Sequence, residues 1–250
     1  VVSTVLGPDG ALLERGVERA LVRNNFSITP EKFKEVLSNG AHPGALDVLA
    51  HAASALLQHR LATKRIIRLK DPSMAGRVLG ECMVAAKQAL AQFIIEHGSP
   101  AIFRNHTTPS GEVLRGLAEA VTAAGVEATT EDFKLPSKWL SLVRALEGHN
   151  HRYLIHDILD TFLMRTRLGA KNLGHFGIGV DAYLEVKPRE ASGIANQFQL
   201  RAIFDGSTPL SERELLRRAV KRNRQIRERD SAVYRLRFLE TLEQELTTVG

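Results

Sequence analysis

An α+β fold, mainly helical around a small mixed sheet, is what the sequence predicts, and three observations predict it. Apolar residues recur at helical spacing in several long segments. Short runs with β-branched residues stand between those segments. The composition is that of an ordinary globular chain, 44% hydrophobic and 25% charged over 250 residues, which excludes a disordered or fibrous protein. No Gly/Ser-rich linker divides the chain, so these pieces belong to one unit.

The elements follow in order. Val1–Leu6 reads as a strand that meets the turn Gly7-Pro8-Asp9-Gly10. Residues 11–28 carry no clear period. Pro30 opens a short helix to about Leu37, because proline suits the first helical turn, where its missing N–H is not needed. Pro43 opens a longer one, with Leu46, Leu49, Ala53, Leu56, Leu57 and Leu61 at helical spacing. Lys64–Lys70 reads as a strand. Ser73 caps a long helix to about His97, whose apolar stripe is Leu79, Cys82, Met83, Ala86, Leu90, Phe93 and Ile94. Pro100–Arg104 is a short strand, and helices are expected near 110–124, 136–147 and 152–164. Gly174–Gly179 is a tight glycine-spaced loop, and helical patterns return near 190–203 and from Ser211 onward.

Charge is localised. Residues 211–238 hold ten Lys or Arg against four Asp or Glu, an excess equal to the +6 of the whole chain. Arg213, Arg217, Arg218, Lys221, Arg222, Arg224, Arg227, Arg229, Arg235 and Arg237 all lie on one predicted helix, with Ser211 as its N-cap. A guanidinium-rich helix face suits phosphate, since each fork can hold a pair of phosphate oxygens. The competing explanation is a solvated face laced with pairs to Glu214, Glu228 and Asp230.

Other chemistries find little support. No Walker loop, nucleophile elbow or C-x-x-C is present. Cys82 is the single cysteine, so neither an internal disulfide nor a thiolate metal cage can form, which fits a reducing, intracellular compartment. No apolar run reaches the roughly 18 residues of a membrane span, so no membrane partner is expected. His149-Asn150-His151 is too compact for a nuclease ribbon, and His156 with Asp160 reads as a solvated helix face. Fourteen aromatic residues do not make an obvious base-stacking platform. The chain opens on Val1 with a strand already in progress, so it reads as a piece of a longer protein.

Four stretches, taken together, resemble the later part of the RNB catalytic domain of the ribonuclease II and ribonuclease R family. They are Val1 with Leu21–Leu37; Gly80–Lys87 with Pro100–His106; Gly174–Gly179 with Tyr183; and Asn196–Ala202 with Arg224–Tyr234. The resemblance implies an RNB-type domain whose later part is residues 1–208, closed by a long basic helix at 209–250. It implies 3′-to-5′ hydrolysis of single-stranded RNA to mononucleotides with Mg²⁺. The metal is held by an aspartate cluster that would lie before Val1 or on a partner chain, and by no residue of this one.

Carried over residue by residue, the resemblance makes Arg189 and Glu81 the catalytic candidates. Arg104, His106, His175 and Glu228 join Arg217, Arg218, Lys221 and Arg222 as RNA-binding candidates. Glu81 has two readings. On a helical wheel it falls with Arg77, Gln88 and Gln92, opposite the Leu79/Met83/Leu90 stripe, so it is either a solvent-facing glutamate or a carboxylate facing the RNA end. Lys187-Pro188-Arg189-Glu190-Ala191-Ser192-Gly193 stands where the family has S-P-I-R-R-Y-x-D, and Pro30 and Thr107 replace a tyrosine and a glutamate. Glu190 beside Arg189 repels phosphate and draws arginine into an internal pair. The leading expectation is the RNA-binding portion of a 3′-to-5′ exoribonuclease. The alternative is a catalytically inactive RNB-fold RNA-binding or assembly factor.

Overall fold

The computed structural model describes residues 1–24, 27–39, 44–63, 74–123, 125–134, 166–187 and 190–249. The expected strand at 64–70, the Ser73 cap, the helices at 136–147 and 152–164, the His149–His151 tripeptide, His156, Asp160 and Arg189 lie outside the described residues. The chain is α+β, as its sequence predicts. β1 (Val2–Leu6) and β2 (Leu12–Val17) pair antiparallel, so the uncertain stretch after the first turn supplies the second strand of a hairpin. Gly10 closes that hairpin at φ 80°, and a Cβ there would lie 2.1 Å from the carbonyl oxygen of Ala55. Only glycine meets both conditions.

Three helices follow. α1 (Pro30–Ser38) is capped by Thr29, whose hydroxyl accepts from Lys32 N at 3.2 Å. α2 (Gly44–Thr63) and α3 (Met74–Glu96) pack on one another and on α1, burying Phe33, Leu37, Ala50, Ala53, Ala75 and Val78. By length and composition α3 is apolar enough to cross a membrane. Here it is a core helix, with Ala89, Ala91 and Ile94 almost fully buried.

The stripe that α3 buries matches the one its sequence advertises only in part: Ile94 is buried and Cys82 and Leu90 pack against the core, but Leu79 and Met83 do not. Leu79 and Met83 are 53% and 50% exposed, while Ala75, Val78, Glu81, Ala85 and Ala89 are buried. Small side chains let α2 approach closely on that face, and one buried ion pair, described below, fixes the rotation.

β3 (Phe103–Asn105) pairs antiparallel with β4 (Arg167–Gly169). The expected strand begins at Pro100; the ladder begins later because the Asn196 side chain takes the N–H of Ile102 and shares its carbonyl with Glu185 N. Asn196 Oδ1 accepts from Ile102 N and its Nδ2 donates to Ile102 O, both at 2.7 Å. Between the two strands run α4 (Gly111–Ala123) and the short α5 (Thr130–Lys134), which bury Leu114, Leu117, Val121 and Phe133.

After β4, the glycine-spaced segment folds into a 3₁₀ turn at Phe176–Ile178, with Gly174 and Gly179 at φ 72° and 64°. Two helices close the chain, α6 (Ala191–Asp205) and α7 (Glu212–Val249). Ser211 caps α7 in a reciprocal box: its hydroxyl and amide both donate to Glu214 Oε2, at 2.7 and 2.9 Å, and Glu214 N returns a long bond to Ser211 Oγ. α6 and α7 run antiparallel. Gln199 holds Leu210 by both its N and its O, Ala195 packs with Leu215 and Ala219, and Glu190 meets Arg222. Beyond Ile226, from Arg227 to Glu243, every described side chain of α7 is exposed.

Candidate nucleic-acid interface

The charged residues fall into two kinds of setting, one interior and one on the surface. In the interior, Arg60 of α2 clamps Glu81 of α3: Nε donates to Oε2 at 2.9 Å, and Nη2 donates to Oε1. The third nitrogen, Nη1, donates to the carbonyl of Ile178 at 2.6 Å, tying the glycine loop to the α2–α3 pair. The side chains of Arg60 and Glu81 are 10% and 4% exposed. Glu81 is therefore not solvent-facing, and both its oxygens are committed to a guanidinium.

A second pair has the same design. Arg104 of β3 donates to Glu185 through Nε at 2.7 Å and through Nη2, and its Nη1 reaches Thr166 Oγ1 at 3.1 Å. Glu185 is fully buried, and its other oxygen accepts from Lys187 N at 3.3 Å. Its main-chain carbonyl accepts from Asn196 Nδ2 at 2.7 Å. Lys87 of α3 is buried beside this pair, its ammonium 4.9 Å from the centre of the Tyr183 ring. Burial holds Lys87 below the usual lysine range, the charge of Glu185 opposing the shift. Burial, reinforced by Glu185, pushes Tyr183 up to about 12.

The two histidines carried over from the family face each other here. His106 and His175 form a parallel bridge and meet edge to face at 5.2 Å. His106 Nδ1 accepts from Gly177 N at 3.2 Å, and its main-chain O accepts from Phe176 N at 2.7 Å. Because an amide donates to Nδ1, the neutral ring carries its proton on Nε2. Both side chains are buried, and an open depression of about 510 Å³ lies over them, bordered by Thr108, Asn172 and Asp181.

On the surface, α7 divides its cations. Arg222 is half-buried and bidentate to Glu190, Nη2 to Oε1 at 2.9 Å and Nε to Oε2 at 3.2 Å; Lys187 Nζ adds a contact at 3.3 Å. Burial raises the Glu190 carboxyl, but the Arg222 bond and the Lys187 charge outweigh it and hold the group below the usual carboxylate range. Arg213, Arg217, Arg218 and Lys221 are exposed. At 100° per residue, 213, 217, 221 and 224 form a stripe opposite the Leu215/Ala219 face that packs on the core. Glu228 pairs with the exposed Arg224 at 2.9 Å, the local pair that its spacing allows.

The expected residues thus separate. Glu81, His106 and His175 are buried around the glycine loop, and the half-buried Arg104 pairs with Glu185; Arg217, Arg218 and Lys221 lie on the open face of α7; Arg222 bridges to α6. Arg60, Glu185 and Lys87 were missed by sequence reasoning. Arg60 carried a signal, because it continues the Ala53, Leu56, Leu57 stripe of α2, where a charge needs a buried partner. Among the described residues no three His, Cys, Asp or Glu side chains are grouped to hold a metal. Nor do the carboxylates near the loop fit a Mg²⁺ ion, since Glu81, Glu185 and Glu190 are each already neutralised by an arginine.

The RNB domain family model matches residues 1–187, three-quarters of the chain. The chain belongs to the RNB domain family. Ribonuclease R of Vibrio parahaemolyticus is 28% identical over 109 residues, 44% of this chain and 13% of that protein. Ribonuclease R of Chlamydia trachomatis is 22% identical over 197 residues, 70% of this chain and 28% of its own length. The chain therefore spans less than a third of either relative. In structure this RNB chain is similar to Mycoplasma genitalium RNase R in complex with ribose-methylated single-stranded RNA, with a TM-score of 0.69 at 14% identity, covering 98% of this chain and 42% of that one. It is equally similar to yeast Ssd1, a pseudonuclease, with a TM-score of 0.69 at 16% identity over 88% of this chain and 31% of that one. The RNB fold thus includes both ribonucleases and a pseudonuclease.

Proposed function

We propose that this chain is the RNA-holding portion of a protein of 3′-to-5′ exoribonuclease type, and that it grips single-stranded RNA by its phosphates along the open side of α7. One observation carries the reading. The interior carboxylates and arginines neutralise one another, whereas Arg213, Arg217, Arg218 and Lys221 are exposed on the same helix. Free guanidinium and ammonium groups at helical spacing attract a polyanion. Arg104, His106, His175 and Arg222 support the binding surface from behind, and Glu228 tempers Arg224.

The chemistry of hydrolysis is the finer part of the proposal. Its Mg²⁺ belongs to carboxylates outside this chain. Glu81 serves the site by fixing Arg60 and, through Ile178, the glycine loop. Arg189 is the cation of this chain on which turnover in the whole protein depends. A second reading has a specific observation behind it: Glu190, at the start of α6, is held as an anion by Arg222 and Lys187, where a substrate phosphate would compete for the same cations. On that reading the protein binds RNA without cleaving it.

The test has two arms. Filter binding of a labelled single-stranded oligomer to the Arg213→Glu, Arg217→Glu, Arg218→Glu, Lys221→Glu variant should show most of the affinity lost; unchanged affinity rejects the α7 face. Mononucleotide release from a 3′-labelled oligomer by the full-length protein, abolished by EDTA and by Arg189→Ala, supports the exoribonuclease; binding without release by the full-length protein supports the inactive factor.

A further inference from the structure

Resting on the reading that α7 holds RNA phosphates, the geometry points to a base-stacking element beside them: Phe198 of α6, with Ile194 one turn before it, takes the face of an RNA base while Arg218 and Lys221 hold the adjoining phosphates. Phe198 is 55% and Ile194 41% exposed, on a helix whose neighbouring positions Ala195, Asn196 and Gln199 are buried. An exposed phenylalanine at an interhelical edge is unsatisfied by the core, and its position relative to α7 is fixed by the antiparallel packing already described.

The placement follows from helix geometry. Residues 195 and 199 of α6 face α7, so 194 and 198, one position earlier, turn about 100° to one side. In an antiparallel partner, the positions that turn to that same side are also those one earlier than the contact residues. The contacts on α7 are Leu215 and Ala219. Their predecessors are Glu214 and Arg218; Lys221, on the next turn, stands farther round, where this edge meets the open stripe of α7. The Arg222–Glu190 pair closes one end of the strip. At the other end, Glu214 is bound to Ser211 and so presents a satisfied carboxylate. The strip is therefore apolar on its α6 edge, while its α7 edge carries Arg218, with Lys221 beyond it and the Glu214 carboxylate engaged by Ser211.

That pairing selects one occupant. A purely apolar protein partner gains nothing from Arg218 and Lys221, and a purely electrostatic polyanion gains nothing from Phe198 and Ile194. Single-stranded RNA offers both at once, a π-face and a phosphate on each nucleotide, and stacking on an aromatic ring tolerates any base. Duplex RNA does not fit, because its bases are already stacked.

Phe198→Ala is the informative variant, since an exposed ring is removable without opening the core. Affinity for a single-stranded oligouridine, by fluorescence anisotropy, should fall about fivefold or more, while the slope of affinity against salt stays at its wild-type value. The same variant should bind an abasic ribose-phosphate oligomer as wild type does. Phe198→Trp should restore binding, with indole fluorescence quenched on RNA addition. Undiminished affinity for oligouridine in Phe198→Ala, or an equal loss on the abasic oligomer, overturns the stacking role. Binding of a second copy or another protein at this edge, seen as a change in mass that Phe198→Ala abolishes without affecting RNA, overturns it as well. The arms separate this inference from the reading beneath it: if Arg218→Ala with Lys221→Ala also leaves affinity and salt slope unchanged, the α7 phosphate face itself is wrong.

Discussion

Arg60–Glu81 and Arg224–Glu228 are both Arg–Glu pairs at hydrogen-bond distance, and they differ in almost everything else. The first joins two helices in the interior, uses both carboxylate oxygens and spends its third nitrogen on a loop carbonyl. The second is local to one turn of α7, with side chains 77% and 62% exposed. Water screens the second and is excluded from the first. A buried pair is no strong net stabiliser, because desolvation offsets much of the attraction, but removing one partner strands the other charge. An exposed pair can open at little cost and give its arginine to a phosphate. The molecule thus separates charges that build the fold from charges available to a ligand.

The largest effect expected from that comparison is at the interior pair. Glu81→Ala should destabilise the protein by roughly 3–5 kcal/mol in urea unfolding, because it leaves the Arg60 guanidinium buried without its counterion. Replacing both residues with apolar side chains of similar volume, Arg60→Met with Glu81→Leu, should recover much of the loss. Equal damage from the single and double variants would mean that shape, not charge, sets the cost.

Asn196→Leu comes next. It leaves the N–H of Ile102 and the C=O of Glu185 without their side-chain partner, while the C=O of Ile102 keeps the N–H of Glu185. A loss on the order of 2–4 kcal/mol is expected from such unsatisfied buried groups, measured by the same unfolding curves. A loss below about 1 kcal/mol would show that these backbone groups find other partners.

Glu190 is intermediate, and its signature is pH. Its folded pKa lies below the unfolded value of about 4.3. Its contribution is therefore present above that value and disappears as pH falls through the lower folded pKa. The stability difference between wild type and Glu190→Gln should narrow between pH 6 and pH 3. A difference independent of pH would place the effect in packing instead. Smallest of all, Arg224→Ala should change stability by no more than about 0.5–1 kcal/mol.

The sequence made the α+β class legible because helix starts were marked by Pro30 and Ser211 and because the glycine-rich segment announced a tight turn. It made the basic helix legible because one segment carries the whole net charge. The rotation of α3 was hidden for a physical reason. Its large residues, Leu79 and Met83, outweigh Ala75, Ala85 and Ala89 in any apolar count, yet close helix packing and the Arg60 clamp favour the small-residue face. Glu81 then falls opposite that stripe, where it reads as facing either solvent or the RNA end. The division among the α7 cations was hidden as well: Arg222 differs from Lys221 only by what lies across from it, and Glu190 is 32 residues away. Phe198 was passed over because isolated aromatic residues carry no period; it gains meaning only when α6 and α7 are laid side by side.

The central claim, that open cations on α7 and not the interior pairs meet the RNA backbone, is tested most directly by the salt dependence of binding. For single strands the logarithm of the binding constant falls against the logarithm of salt with a slope of about −0.7 per phosphate neutralised. Removing two such contacts with Arg217→Ala and Lys221→Ala should make the wild-type slope shallower by about 1.4, with unfolding curves unchanged. A double variant that binds single-stranded RNA with the wild-type slope would contradict the account and return the search to the cluster around Arg104, His106 and His175.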